Sequence, residues 1–274
     1  MAETRLPPEL ERHIFELAAT SHSKSIPTLF LVAHRVKIWL EPILYSVVVF
    51  SNPLPGHVCF DPVRFSSAVQ SPATSQYVRN LYISHEFSHR GFELIFANCS
   101  SIQNLALFGG HSGLLPFLSA MPLRRLCTLL RFLFPQSPDF SHPLFSRITH
   151  LQLWDNHTGW KYWSGLATLP NLTHLAFGTT RTLAIFQNML TACSALQALV
   201  FTYSRVESGA GLESLAHDVR FVCIPKPPFM SDWQIGARGG DDFWVRAENF
   251  IARRSCGEIP RETFVLREEE SNAG

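Results

Sequence analysis

Residues 148–154 read ITHLQLW and residues 172–178 read LTHLAFG, so one apolar-x-x-Leu-x-apolar pattern returns after 24 residues. Apolar side chains that alternate around a leucine are typical of a strand with a buried face. The pattern occurs seven times, and its anchor positions are separated by 24, 21, 25, 24, 24 and 23 residues, which indicates an internal repeat. The copies begin at Val78, Ile102, Leu123, Ile148, Leu172, Leu196 and Val219, with anchors at Leu81, Leu105, Leu126, Leu151, Leu175, Leu199 and Val222.

Apolar helical stretches lie between the copies, for example LAIFQNMLTACSA at residues 183–195. Strand, helix and return in about 24 residues predict an α/β fold in which parallel strands line one side of an arc. Strand side chains change face at every residue, so the anchors point inward and the alternate positions form an outward row. That row comprises Tyr82, Ser84, Asn104, Ala106, Phe108, His150, Gln152, Trp154, His174, Ala176, Ala198 and Val200. A non-repetitive α/β sheet also satisfies this alternation and remains open.

Residues 77–230 resemble irregular leucine-rich repeats. The resemblance implies a solenoid whose concave face captures a target protein, and aromatic side chains among polar ones suit such a surface. The stretch WDNHTGWKYW at residues 154–163 is predicted to form a rim loop. The predicted target contacts are Tyr82, Phe108, His150, Gln152, Trp154 and His174 on the face, and Trp160 and Trp163 on the rim.

Residues 1–50 are predicted to form a small helical module, followed by a linker at residues 51–76. LPPELERHIFELAA at residues 6–19 places prolines in a first helical turn and spaces Leu10, Ile14 and Leu17 by four and three. A second helical pattern runs from residue 27 to residue 43. Such a module has a marginal core, so we expect it to be anchored on the following domain, on a partner, or on both.

Residues 6–49 are similar to the F-box, in the divergent form common in fungal F-box-like proteins, through LPPEL....IF.LAA and LFLVAHRVKIWLEPILYSVV. The resemblance implies helices that dock on a Skp-type adaptor and, through it, on a cullin. The chain would then be a non-catalytic substrate-receptor subunit of an SCF-type ubiquitin ligase. The first-helix contacts that the resemblance implies are Leu6, Pro7, Leu10, Ile14 and Phe15. Val32, Val36, Trp39 and Tyr45 would contact the adaptor or hold the helices together.

The end of the chain carries a third helical pattern. DDFWVRAENFIARRSCG at residues 241–257 has acids at its start, arginines near its end and apolar residues on one face. A solenoid leaves its last apolar face open, so residues 231–260 are predicted to be a capping helix. Residues 261–274 are predicted to be a polar tail.

Composition narrows the function classes. The net charge is +1, with no long Lys/Arg run, which argues against nucleic acid or a membrane surface as a partner. The longest apolar stretches, such as residues 42–50, are about half of the roughly 20 residues that cross a bilayer, and the N-terminus lacks a signal-peptide core. The six cysteines are scattered, as expected in a reducing compartment. We therefore expect a cytoplasmic or nuclear protein without a cofactor or metal.

One motif favours a different function. His85, Glu86 and His89 spell HExxH, which on a helix binds zinc in metallopeptidases, so a zinc metallohydrolase is an alternative. The motif begins where the repeat requires a loop, and no Glu occurs between Glu93 and Glu207 to supply the usual third ligand. A polar loop at the rim of the repeats is favoured. A free-standing protein-interaction scaffold is the remaining alternative.

Overall fold

The structure is a computed structural model that describes residues 6–50, 54–84, 87–179, 182–203 and 211–267. The chain divides into two compact units, Met1–Ile102 and Gln103–Gly274. Among the described residues, no helix combines the length and the apolar character that a bilayer crossing requires.

The first unit begins with helices and contains two parallel strands. Pro7 precedes the first helix, and Pro8 is its first residue. Proline has no backbone N–H, but the N–H groups of a first helical turn have no partner within the helix, so proline is tolerated there. The Asp61 and Ser88 side chains cap later helices by accepting from backbone N–H groups. Its elements are α1 Pro8–Ser21, α2 Ile26–Leu29, α3 His34–Ser46, β1 Val47–Val49, α4 Pro62–Ala68, α5 Pro72–Ser75, β2 Asn80–Ile83 and α6 His89–Asn98.

The helical module has its own small core. Ala19, Ile26, Val36 and Leu40 are buried together, and the Glu11 carboxylate binds the Arg35 guanidinium at 2.7 Å. The module ends at residue 46, because the next three residues form β1 rather than helix. The predicted linker at residues 51–76 contains the short helices α4 and α5. Apolar residues hold this segment in place: the Phe65 ring, for example, packs edge-on against Phe50 at 5.0 Å.

The second unit contains six parallel strands in chain order. The strands are β3 Asn104–Leu107, β4 Arg125–Thr128, β5 His150–Leu153, β6 His174–Phe177, β7 Ala198–Tyr203 and β8 Phe221–Pro225. The α-helices are α7 Leu115–Ala120, α8 Leu130–Leu133, α9 Trp160–Trp163, α10 Leu183–Ala192, α11 Phe229–Ala237 and α12 Phe243–Ser255. Short 3-10 helices lie at Ser112–Leu114, Pro143–Phe145, Ser164–Thr168 and Glu213–Leu215. The predicted α/β class with parallel strands is confirmed.

Strand register follows the repeat anchors up to β7. In adjacent strands Leu126 pairs with Leu151, and Leu175 pairs with Leu199. The last copy differs, because Leu199 pairs with Phe221 and not with the predicted anchor Val222. A shift of one residue moves a side chain to the opposite face of a sheet. Val222 therefore lies in the cluster formed with α12 on the other face.

Helix α12 covers one face of the sheet. Phe243, Ala247 and Phe250 form a buried cluster with strand residues that include Ala198 and Val200. The apolar face of an amphipathic helix matches the apolar side chains that these strands present, and burying both faces together removes them from water. The helix thus covers residues of the last strand, β8, and extends over β7 and β6 as well.

The segment after α12 is also ordered by β8. The Cys223 N–H donates to the Phe264 carbonyl at 2.7 Å, and the Leu266 N–H donates to the Cys223 carbonyl at 2.9 Å. Phe264 and Leu266 are buried. The prediction of a polar tail from residue 261 is therefore wrong for the described residues 261–267, because their alternating apolar side chains extend the core.

Arg254 locks α12 in place. Its side chain is fully buried, and its guanidinium donates to the carbonyl oxygens of Ala216, Val219, Phe221 and Arg261. Ala216 and Val219 precede β8, Phe221 is its first residue and Arg261 follows α12. A single side chain therefore ties the helix to β8, to the segment before that strand and to the segment after the helix. Burial lowers the pKa of Arg254, but four acceptors satisfy its planar set of donors.

The substitution Arg254→Lys is expected to lower the free energy of unfolding by about 3 kcal/mol, because an ammonium cannot reach all four carbonyls and each buried acceptor without a donor costs about 1 kcal/mol or more. Urea unfolding followed by tryptophan fluorescence measures this change. Arg253→Lys is the matched control, since the neighbouring arginine is partly exposed and, within the part of the chain that the structure describes, forms its ion pair with Glu258 at the surface. Equal stabilities of the two variants would contradict this role of Arg254.

Candidate functional site

Helix α1 presents a row of apolar side chains to solvent. Leu6, Leu10, Ile14 and Leu17, here called the α1 stripe, are each more than half exposed. Leu6 lies just before the helix. Successive helix residues turn by about 100°, so spacings of four and three keep Leu10, Ile14 and Leu17 on one face. The core contacts of α1 use another face, where Phe15 and Ala19 pack with α3. The helix therefore has one apolar face inside the module and a second in water.

A second group of exposed apolar residues lies nearby in sequence. Leu31 and Val32, in the connection before α3, and Ile38 on α3 are each more than half exposed. Together with the α1 stripe they account for seven of the nine large exposed hydrophobic residues among the described residues. Such a concentration within residues 6–38 is characteristic of an interaction surface, because single exposed apolar residues are usually scattered.

The residues that the F-box resemblance implies as adaptor contacts separate into two classes. Leu6, Pro7, Leu10, Ile14 and Val32 are exposed. The others contribute to the interior. Val36 is fully buried, and Phe15 and Trp39 are partly buried with their ring centroids 6.4 Å apart. Tyr45 packs on Phe60 and Phe65. Of the two roles predicted for Val36, only that of holding the helices together fits its burial.

Three exposed residues of this region were absent from the predicted contacts. The sequence could have identified Leu17, because it follows Leu10 and Ile14 at helical spacing on the same face. It could not have identified Leu31 and Ile38, since helical spacing also fits an internal position for each. The packing of the three helices alone decides that Leu31 and Ile38 are exposed while Val36 is buried.

The predicted concave face of the second unit is largely closed. Ala176, Ala198 and Val200 are fully buried under α12, and Gln152 and His174 are almost fully buried. The prediction that this row faces solvent is wrong for Ala106, Gln152, His174, Ala176, Ala198 and Val200, while His150 and Trp154 are partly exposed. Its apolar members explain why, because an exposed row of Ala and Val is less favourable than one covered by the amphipathic α12.

The predicted rim also contains a core residue. Trp163 is fully buried, donates its indole N–H to the His157 carbonyl at 2.9 Å and packs edge-on against Phe177 at 5.3 Å. Its predicted role as a rim contact is therefore wrong. Trp160 is partly exposed, as is Tyr82 in the first unit.

A partly exposed aromatic cluster lies at the carboxyl ends of β3 and β5. The Phe108 ring is 6.2 Å from Trp154, and both rings pack edge-on against Phe229, at 5.2 and 5.4 Å. The Lys226 ammonium lies over the Trp154 ring at 4.6 Å. We call these four residues the edge cluster. Aromatic rings beside a cation offer both apolar area and charge to a protein partner.

A polar cluster lies beneath α12. Arg125, His150 and His174 pair in register on β4, β5 and β6, and the two imidazoles are stacked with centroids 4.1 Å apart. The Trp244 ring meets both imidazoles edge-on. The Asp242 carboxylate lies 3.1 Å from the Arg125 guanidinium and also caps α12 by accepting from the Val245 N–H.

Helix α11 completes this polar cluster. The Asp232 carboxylate accepts from the Phe243 N–H at 3.0 Å and binds the Arg246 guanidinium at 2.6 Å. The Trp233 indole N–H donates to the Asn104 side-chain oxygen at 3.2 Å. The cavity among these groups has a volume of about 20 Å³, which suits one water molecule rather than an organic substrate.

Burial keeps the two imidazoles neutral at neutral pH. It lowers the pKa of His150 to about 3, with help from the charges of His174 and Arg125. Burial and Arg125 lower the pKa of His174 to about 4. Burial has the opposite effect on the carboxyl group of Asp242, whose pKa is raised.

The HExxH motif is only partly described. His85 and Glu86 lie outside the described residues, and His89 is an exposed residue at the start of α6. Among the described residues, three potential metal ligands come together elsewhere. The ligand atoms of His150, His174 and Glu248 lie within 4.8 Å of one another.

Comparison with known proteins adds no assignment. No model of a known protein family matches the chain, and no curated protein is similar to it. The resemblance to the F-box and to leucine-rich repeats therefore rests on the residues and spacings given above. What it implies for function is a proposal.

The substitution Gly236→Ala tests whether close packing of α11 against the start of α12 positions the polar cluster. A Cβ atom there would overlap the Asp242 carboxylate, so Gly236→Ala is expected to displace Asp242 from Arg125 and from the start of α12. Loss of the helix cap and of this partly buried ion pair lowers the free energy of unfolding by about 1–3 kcal/mol, measured by urea unfolding. Gly159→Ala is the control, because its Cβ would meet nothing within 4 Å. Equal stability of Gly236→Ala and the unsubstituted protein would contradict the role of Asp242.

Proposed function

We propose that this protein is a non-catalytic substrate-receptor subunit of an SCF-type ubiquitin ligase. Residues 6–46 dock on a Skp-type adaptor, which connects the chain to a cullin, and the second unit binds a target protein. The observation that carries the proposal is the exposed α1 stripe, which contains Leu10 and Ile14, two of the first-helix contacts that the F-box resemblance implies.

The α1 stripe is available for a partner because the module folds without it. Ala19, Val36 and Leu40 form the internal core, and the α1 stripe contributes nothing to that cluster. Burial of apolar surface is worth about 25 cal/mol per Å², so covering the four side chains favours association with an apolar groove. A helix laid by its apolar face into a groove is a common recognition mode, with anchors at helical spacing.

A leucine-rich-repeat solenoid is our proposal for the second unit. Support comes from the register of the leucine anchors in adjacent parallel strands and from repeat lengths of 21 to 25 residues. In such repeats each unit covers the apolar face of its neighbour. Because α12 closes much of the sheet face, we place the target contacts at the edge cluster and at the rim near Trp160. Phe108 and Trp154 remain from the predicted concave set in this unit, as does the partly exposed Tyr82 in the first unit.

The double substitution Leu10→Asp, Ile14→Asp is expected to weaken binding to a purified Skp-type adaptor by at least about 100-fold, because two buried apolar anchors are each worth about 1.5–3 kcal/mol. Isothermal titration calorimetry with the full chain measures the dissociation constant. Thermal unfolding is expected to change little, since both positions are largely exposed in the free protein.

His13→Asp is the matched control. It introduces an acid at an exposed position of the same helix outside the α1 stripe and is expected to leave the affinity within about twofold. Leu17→Asp tests the additional member of the α1 stripe and is expected to weaken binding. If the folded protein bound no Skp-type adaptor, the proposal would be overturned, and a free-standing interaction scaffold would be the remaining alternative. Equal binding by the double variant and the control would overturn the docking face.

A further inference from the structure

Two neighbouring strands place two imidazoles in the same orientation. His150 on β5 pairs with His174 on β6, and the ring planes differ by 1°. Each histidine follows a threonine, in the sequence Thr-His-Leu. The repeat has therefore produced the same local arrangement twice, one strand apart.

The preceding threonines lie within hydrogen-bond distance of Nδ1 in both rings and are compatible with a proton on that nitrogen. Thr149 Oγ1 lies 2.9 Å from His150 Nδ1 and donates to the Arg124 carbonyl. Thr173 Oγ1 lies 2.8 Å from His174 Nδ1 and donates to the Thr149 carbonyl. A hydroxyl group has one proton, and a carbonyl can only accept, so both contacts are satisfied when Nδ1–H is the donor. The neutral rings then carry their lone pairs on Nε2.

These two Nε2 atoms are buried and face a carboxylate. Neither has a hydrogen-bond partner among the described residues. Glu248, one helical turn after Trp244 on α12, places Oε1 3.0 Å from Nε2 of His174. With the proton on Nδ1, that approach would bring two acceptors together without a proton, whereas with the proton on Nε2 the ring would donate to the carboxylate. Buried polar atoms without partners are unfavourable, and a cation at this point would satisfy all three groups.

We propose that His150, His174 and Glu248 bind a divalent transition-metal ion of the zinc type. Two neutral imidazoles and a carboxylate are the ligands that zinc accepts, at about 2.0–2.2 Å, and a water molecule completes a four-coordinate site. The Thr149 and Thr173 hydroxyl groups hold the rings through Nδ1, as outer partners of metal-bound histidines do. Ligand atoms within 4.8 Å must move closer, and the half-exposed Glu248 side chain has the freedom to do so.

Neighbouring charges are compatible with this site. Arg125 is the cation beside the histidines, and its guanidinium is engaged by Asp242 at 3.1 Å. Arg246 on α12 is engaged by Asp232 at 2.6 Å. Trp244 presents the edge of an uncharged ring to both imidazoles.

The ion would join α12 to the sheet. His150 and His174 lie on strands and Glu248 on the helix that covers them, so binding stabilises the closed arrangement of the second unit. The site requires neither the α1 stripe nor an adaptor, and it is independent of the proposed ligase role. It is also separate from the HExxH motif, of which it uses no residue.

Zinc binding to the full chain tests this proposal. The protein is freed of any affinity tag containing histidines, treated with EDTA, dialysed and titrated with Zn²⁺ by calorimetry at neutral pH. We expect saturation at one equivalent per chain and a rise in the thermal unfolding temperature, because a ligand that binds only the folded state stabilises it. Glu248→Gln is expected to weaken binding by at least about tenfold, and His174→Gln by about 100-fold or more.

Control variants locate the binding site. Glu248→Gln alters a half-exposed side chain and is expected to fold, so the test does not depend on the buried histidine variant. His157→Gln, in the exposed loop before α9, and His89→Gln, in the HExxH motif, are expected to bind Zn²⁺ like the unsubstituted protein. Absence of saturable binding would overturn the proposal. So would equal affinity of Glu248→Gln and the unsubstituted protein, or loss of binding in His89→Gln alone.

Discussion

The second unit depends on the burial of both faces of a parallel sheet. The leucine anchors of the repeat occupy one face, and the alternate positions Ala176, Ala198 and Val200 make the other face apolar as well. A parallel sheet with two apolar faces needs cover on each side. Helix α12 provides the second cover, and buried Arg254 holds it through four carbonyl groups. The same interaction closes the surface that a repeat protein of open type would offer to a target.

In the first unit, part of the apolar surface remains exposed. Helix α1 has two apolar faces, and the small module can bury only one of them, the face that contains Phe15 and Ala19. The α1 stripe remains in water, although its burial would be favourable. Helix α12 and helix α1 thus have related sequence patterns and opposite outcomes. Helix α12 covers a surface of its own chain, and helix α1 keeps one apolar face in water.

Closure by α12 also places polar groups in a poorly hydrated environment. Arg125 and Asp242 compensate each other, as do Asp232 and Arg246. Such pairs mainly offset the unfavourable loss of hydration, and they specify where the helix lies. The two stacked histidines are less completely compensated, because Nε2 of His150 has no hydrogen-bond partner among the described residues and Nε2 of His174 has only the half-exposed Glu248 carboxylate beside it at 3.0 Å. A polar group left in this condition is a reason to look for a ligand.

The sequence by itself determined the period and direction of the strands, because each side chain alternation and each 21- to 25-residue return is a local property of the chain. It also identified Leu10 and Ile14 as one helical face. Only the tertiary structure decided which apolar faces are covered, since α12 reaches β6 and β7 from far along the chain. Packing between distant segments also decides that the α1 stripe is exposed, that Val36 is buried and that Glu248 lies beside the histidines. No local sequence pattern indicates these contacts.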